Sequence, residues 1–149
     1  MTTSLERPLQ AAHVPPSAPP GPATLRLPYE PQSARPARRM VRAKLTEWGL
    51  PELVDDAELI ISELVGNAVK TGCRTHMIVG IRRPTAGLVR LLVSDGSAAP
   101  PVWIDADTSA ESGRGVALVH RLTNGKWGAQ LWPRGKVVHA DLPVPPDAA

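Results

Sequence analysis

Between Pro51 and Gly72 the chain sets Leu53, Ala57, Ile61, Leu64 and Ala68 at helical spacing, an apolar stripe that a second layer of structure has to cover. Pro51 can open such a helix and Gly72 can close it. Off the centre of the stripe, in Ile60-Ile61-Ser62-Glu63-Leu64-Val65-Gly66-Asn67-Ala68-Val69-Lys70, an acid and an amide stand four residues apart. Residues so spaced are neighbours on a helix, with about 5–6 Å between Cβ atoms, so Glu63 and Asn67 can address one small polar site. An amide oxygen suits a hard cation that keeps several waters, and a carboxylate can orient or deprotonate a nucleophile. Taken alone, the segment reads more simply as an amphipathic helix whose polar flank carries these two residues.

The flanking sequence says what covers the stripe. Thr24–Leu27 alternates and reads as an edge strand; Ser33 can cap a first helix with Ala37, Val41, Leu45 and Trp48 on one face, and Gly49 stops it. After the second helix, Thr75–Arg83 and Leu88–Ser94 read as strands joined by Pro84-Thr85-Ala86-Gly87. Asp95-Gly96-Ser97 ends the second of them and leads into a loop rich in Pro and Ala. Gly113-Arg114-Gly115 then precedes a short helix, Val116–Leu122, and Trp127–Trp132 and Val137–Leu142 form a last hairpin around Pro133-Arg134-Gly135. Two helices, a hairpin, a short helix and another hairpin predict an α+β fold: a two-layer α/β sandwich whose antiparallel or mixed sheet has its helices on one face. A dinucleotide fold is not expected, because its glycine fingerprint belongs between a first strand and the helix it feeds.

At 149 residues, 42% of them hydrophobic, the chain supports one domain with a real core, expected over residues 23–144. Residues 1–22 hold many of the 17 prolines and little core material, and read as a disordered tail, with a second short tail at 145–149. No stretch resembles a membrane span or a secretory signal, so a cytoplasmic location is expected. A single cysteine, Cys73, supports neither a disulfide scaffold nor a structural zinc site; a small buried or half-buried side chain is expected there. The net charge of +3 would permit a nucleic-acid partner. With no Phe and one Tyr, however, there is no platform for stacking bases, and Arg35, Arg38, Arg39, Arg42 and Lys44 fit a solvated helix face. His76, His120 and His139 are scattered and are assigned structural or exposed roles, and the four tryptophans, with their large apolar area, are assigned to core or interface.

Two further motifs bear on chemistry. Asp95 follows the strand Leu91-Leu92-Val93-Ser94, where a carboxylate can accept from an exocyclic amine; guanine would offer a carbonyl at the same ring position. A turn aspartate satisfying local backbone donors is the alternative. Glu111-Ser112-Gly113-Arg114-Gly115 sets two glycines and an arginine at an expected helix N-terminus, which attracts phosphate, although a capping turn has the same look.

In this order, Glu63/Asn67, Asp95-Gly96 and Gly113-Arg114-Gly115 resemble the N, G1 and G2 boxes of the GHKL superfamily, the Bergerat-fold ATPases that include gyrase and histidine kinases. More narrowly, the chain is similar over about Leu25–Pro143 to bacterial anti-sigma regulatory factors of the serine-kinase branch, including the Arg-rich first helix ending in Glu47-Trp48-Gly49 and the Asp56-Ala57-Glu58 approach. The resemblance implies a site for Mg-ATP between helices and sheet. Asn67 would hold magnesium, Glu63 would be the general base, Asp95 with Gly96 would bind the adenine amine, Gly113 to Gly115 would close over the phosphates, and Arg114 would touch the γ-phosphate. It also implies a serine/threonine kinase with a sigma factor and an anti-anti-sigma antagonist as partners, and allows a homodimer.

The chain departs from the superfamily at Ser97, where a second glycine is common, and at Val137 and Val138, where a threonine often assists the adenine aspartate. These departures imply a reshaped base pocket and lower nucleotide affinity, and they leave a non-enzymatic binding module open as a rival. A basic nucleic-acid-binding regulator is the remote one. No phosphoacceptor-histidine helix precedes Glu63, so a complete histidine kinase is not expected.

Overall fold

The computed structural model describes residues 21–71, 76–96, 110–133 and 135–146. Residues 1–20 and 147–149, which make up most of the two expected tails, and Gly72, Cys73, Ser97 and Arg134 lie outside the described residues. Five strands form one sheet in the order β1-β2-β3-β5-β4, with β1 at Ala23–Pro28, β2 at His76–Thr85, β3 at Leu88–Asp95, β4 at Trp127–Trp132 and β5 at Gly135–Pro143. Every pairing is antiparallel. The expected edge strand, β1, is one of the two edges, and β4 is the other.

Period-two patterning decides which face of the sheet is covered. Along β3, Val89, Leu91, Val93 and Asp95 are buried while Leu88, Arg90, Leu92 and Ser94 are half-buried. Their partners on β5 are Leu142, Ala140, Val138 and Lys136, all buried. Met77, Val79 and Ile81 of β2 extend the same face. Its apolar residues are the sheet's share of the core, because removing them from water is what holds the two layers together.

The helical layer consists of α1 (Ala34–Glu47), α2 (Val54–Thr71) and α3 (Ala110–Thr123). Helix α2 is the hub: it packs on β3 and β5 and against both other helices. Leu53, Ala57, Ile61, Leu64 and Ala68 are buried as its spacing predicts, joined by Val54, Ile60 and Val65, so its apolar face is broader than the original stripe. Asp55 and Asp56 in its first turn and Lys70 in its last complement the helix dipole. Helix α1 ends in a Schellman motif: Gly49 (φ +73°) lets the Leu50 amide donate to the Leu45 carbonyl at 2.8 Å, and both leucines are fully buried. The expected α+β two-layer fold is the observed one.

Local readings needed correction in four places. Ser33 does not cap α1; its hydroxyl donates to the Pro28 carbonyl at 2.7 Å, stitching β1 to the short 3-10 turn Pro31–Ser33. Pro51 opens another 3-10 turn, Pro51–Leu53, and α2 begins at Val54. The first hairpin turns on Ala86-Gly87 alone, since β2 continues to Thr85 through a register shift that accommodates Pro84, a residue with no amide to donate. Finally, α3 starts at Ala110 rather than Val116, so Gly113, Arg114 and Gly115 lie inside the helix. Each helical glycine costs about 1 kcal/mol against alanine, a bias that packing of the helix on its neighbours overrides.

Candidate functional site

The candidate residues sit on three elements with α2 as their common neighbour. Ile60, Glu63, Leu64 and Asn67 share one side of α2 by helical spacing; Ile60 and Leu64 lie in the core and draw the polar pair inward with them. Asn67 is only 6% exposed and Glu63 is half-buried. A buried carboxamide is costly unless its hydrogen-bonding groups are used, which distinguishes Asn67 from an amide on a solvated flank. Just before Glu63, Ser62 accepts a 3.0 Å hydrogen bond from Arg38 Nη1, tying α1 to this turn of α2. Arg42 adds a two-pronged bond to Glu58 at 2.9 and 3.1 Å, which raises the pKa of its guanidinium above the ordinary value. The basic helix face is thus partly a clamp between helices.

Asp95 ends β3 on the covered face and is 6% exposed. Directly across the ladder stands Lys136, with no exposed surface at all. Its ammonium spans the carboxylate, 3.0 Å from Oδ2 and 3.2 Å from Oδ1. The approach of β5 that makes this pair depends on Gly135: a Cβ there would collide with the Asp95 carbonyl oxygen. On the other side, the Gly96 amide donates to the Tyr29 hydroxyl at 2.9 Å, so the chain's only tyrosine anchors the residue after Asp95. Neither partner of Asp95-Gly96 was anticipated. A signal for Lys136 was present, since it stands in phase with Val138, Ala140 and Leu142 on an alternating strand; Tyr29, beyond the end of β1, gave none.

Gly113, Arg114 and Gly115 occupy the second turn of α3, which packs against α2. By helix geometry the amides without an internal partner end at residue 112, so the amides of Gly113, Arg114 and Gly115 all belong to the helix. The far end of α3 is closed by Asn124 (φ +57°), with the Gly125 amide donating to the His120 carbonyl at 2.8 Å. His120 is exposed and accepts from Trp127 Nε1 at 3.2 Å, a structural role.

Among the described residues, no group of three or more His, Cys, Asp or Glu side chains could hold a metal by itself. Asn67 supplies one oxygen donor of the hard kind, which fits a magnesium ion that takes its other ligands from phosphate and water rather than from an all-protein cage. No helix among the described residues is long and apolar enough to cross a membrane.

Among curated proteins none matches significantly. Among solved structures, the chain is similar to the RsbU and RsbW domains of Rv1364c from Mycobacterium tuberculosis, at 23% identity and a TM-score of 0.60 over 85% of this chain. It covers 33% of that longer chain. A second similar structure is the histidine kinase domain of the blue-light activated histidine kinase from Erythrobacter litoralis EL346, at 20% identity and a TM-score of 0.48, over 78% of this chain and 61% of that one. Residues 27–138 match the histidine kinase-like ATPase domain, most of the described fold, and the chain belongs to that family of ATP-binding domains.

Proposed function

We propose that the chain is an ATP-binding, anti-sigma-factor-like serine/threonine protein kinase of the cytoplasm, which phosphorylates a small anti-anti-sigma antagonist and, in its other partnership, sequesters a sigma factor. The observation that carries the reading is the burial of Asn67 on α2 and of Asp95 at the end of β3, two elements that pack on each other, with Glu63 one turn from Asn67. The regulatory part rests on the order of the three motifs, which resembles the anti-sigma factors.

Each residue has a role that its position permits. Asp95 accepts from the exocyclic amine of adenine, and Gly96 admits the base. The phosphates would meet the N-terminal part of α3, where Gly113 to Gly115 would close over them and Arg114 would touch the γ-phosphate. Asn67 would hold a magnesium ion, which would supply neutralisation of charge on the transferring phosphoryl group. Glu63 accepts the proton of the incoming Ser or Thr hydroxyl; its half-burial keeps the carboxylate close to the layer interface yet reachable by a protein substrate.

Purified chain incubated with labelled ATP, magnesium and candidate antagonists should pass label to a Ser or Thr. Glu63→Ala should stop transfer while largely sparing nucleotide binding, and unchanged transfer in that variant would remove Glu63 from the mechanism. A second reading, a nucleotide-linked protein-binding regulator without turnover, is favoured by one feature: Lys136 already occupies the carboxylate of Asp95. Nucleotide binding with no label on any partner is its signature.

A further inference from the structure

We infer that Lys136 is the residue that sets nucleotide affinity and base selectivity, because its ammonium competes with the base for the Asp95 carboxylate. The inference rests on the reading that Asp95 faces a nucleotide base.

Both side chains are fully inaccessible, and the ammonium reaches both carboxylate oxygens. A base amine approaching Asp95 therefore meets a carboxylate whose charge is already balanced. A hydrogen bond gains most when its acceptor is an uncompensated charge, so much of what Asp95 could give to an amine is lost to Lys136. Lys136 cannot simply step aside, since moving an unpaired ammonium through the core carries a large desolvation cost. Selectivity changes as well. A lone carboxylate accepts from the 6-amino group of adenine and repels the 6-oxo group of guanine, whereas an ammonium beside it can donate to that oxygen. The paired site separates the two purines less sharply than a lone aspartate would.

Lys136→Thr and Lys136→Met test this against the unaltered chain, with calorimetry of Mg-ATP and Mg-GTP and thermal melts with and without nucleotide. The expected result is Mg-ATP affinity higher by roughly ten- to a hundredfold in Lys136→Thr, whose hydroxyl still gives Asp95 a donor. The ratio of ATP to GTP affinity should rise in both variants, and Mg-ATP should raise their melting temperatures by more than it raises that of the unaltered chain. Equal or weaker ATP binding in both folded variants overturns the inference while leaving a nucleotide site in place. No nucleotide bound by any of the three chains overturns the nucleotide reading itself. Should neither variant fold, 15N-lysine spectra of the unaltered chain decide: the exchange-protected ammonium signal of Lys136 should move on saturation with Mg-ATP, and an unmoved signal at demonstrated saturation sinks the proposal.

Discussion

Two ion pairs bridge the same two strands and differ in nearly every other respect. Arg90 and Asp141 face each other across β3 and β5, as do Asp95 and Lys136, but the first pair lies on the half-exposed face of the sheet and the second on the face under the helices. Arg90 grips Asp141 in a planar fork at 2.8 and 3.0 Å and keeps a third of its side chain in contact with solvent. That hydrogen bonding outweighs partial burial and raises the guanidinium pKa above its ordinary value. Lys136 offers a compact charge with no solvent contact. A fork matched to a carboxylate is an economical clasp for an open sheet face, whereas a buried ammonium must be wholly compensated by its partner. Because well-packed apolar residues of similar size often serve stability as well as a buried pair does, stability alone does not account for Asp95–Lys136. The position of the pair, at the end of β3 where the base is proposed to bind, supplies a functional reason.

The sharpest way to break this contrast is to remove one member of each pair and compare the losses. Asp95→Ala leaves Lys136 buried without its counter-charge and should cost about 3–5 kcal/mol in urea unfolding. The joint replacement Asp95→Leu with Lys136→Met should recover most of that loss, since neither charge is then stranded. A small loss in Asp95→Ala, or no recovery in the double variant, would show that water reaches the pair and that the two faces of the ladder are alike.

The same contrast explains which parts of the molecule were legible in the sequence. Strands and helices announce themselves through apolar periodicity, and α1, α2 and all five strands lie where that periodicity and the Gly and Pro stops put them, to within a few residues. Glu63 and Asn67 were readable because helical spacing fixes their relation, and Asp95 because it ends an alternating run. The Asp95–Lys136 contact was not, for it joins residues 41 apart and depends on strand register, which no local pattern records. Lys136 adjoins the apolar Val137 and Val138, and its inward phase on an alternating strand is the one local sign of its burial. The start of α3 was misplaced because glycine's low helix propensity outweighed the helical continuity of Ala110–Gly115, and packing on α2 decided otherwise.

On the open face the expected losses are smaller. Asp141→Ala should lower stability by about 1 kcal/mol, because the released guanidinium of Arg90 turns to water instead of being trapped. Raising the salt concentration should shrink even that difference, while the loss in Asp95→Ala should barely respond, since screening acts on charges that solvent can reach. A loss in Asp141→Ala as large as that in Asp95→Ala would erase the distinction between the faces.

Tyr29→Phe asks whether the end of β3 is held in place independently of the ion pair. It removes the hydroxyl that accepts the Gly96 amide but keeps the ring against the core, so about 0.5–1.5 kcal/mol should be lost. The informative readout is local. Hydrogen exchange at the Gly96 amide should quicken in the variant, while the amides of Leu91 and Val93, in the middle of β3 and paired on both sides, should follow only the global change in stability. If Gly96 quickens alone and Lys136 keeps its hold on Asp95, the tyrosine and the lysine are two separate controls on one strand end. If the amides of β5 near Lys136 quicken together with Gly96, the anchor and the ion pair form one cooperative unit, and a ligand that displaces Lys136 must loosen Tyr29 as well.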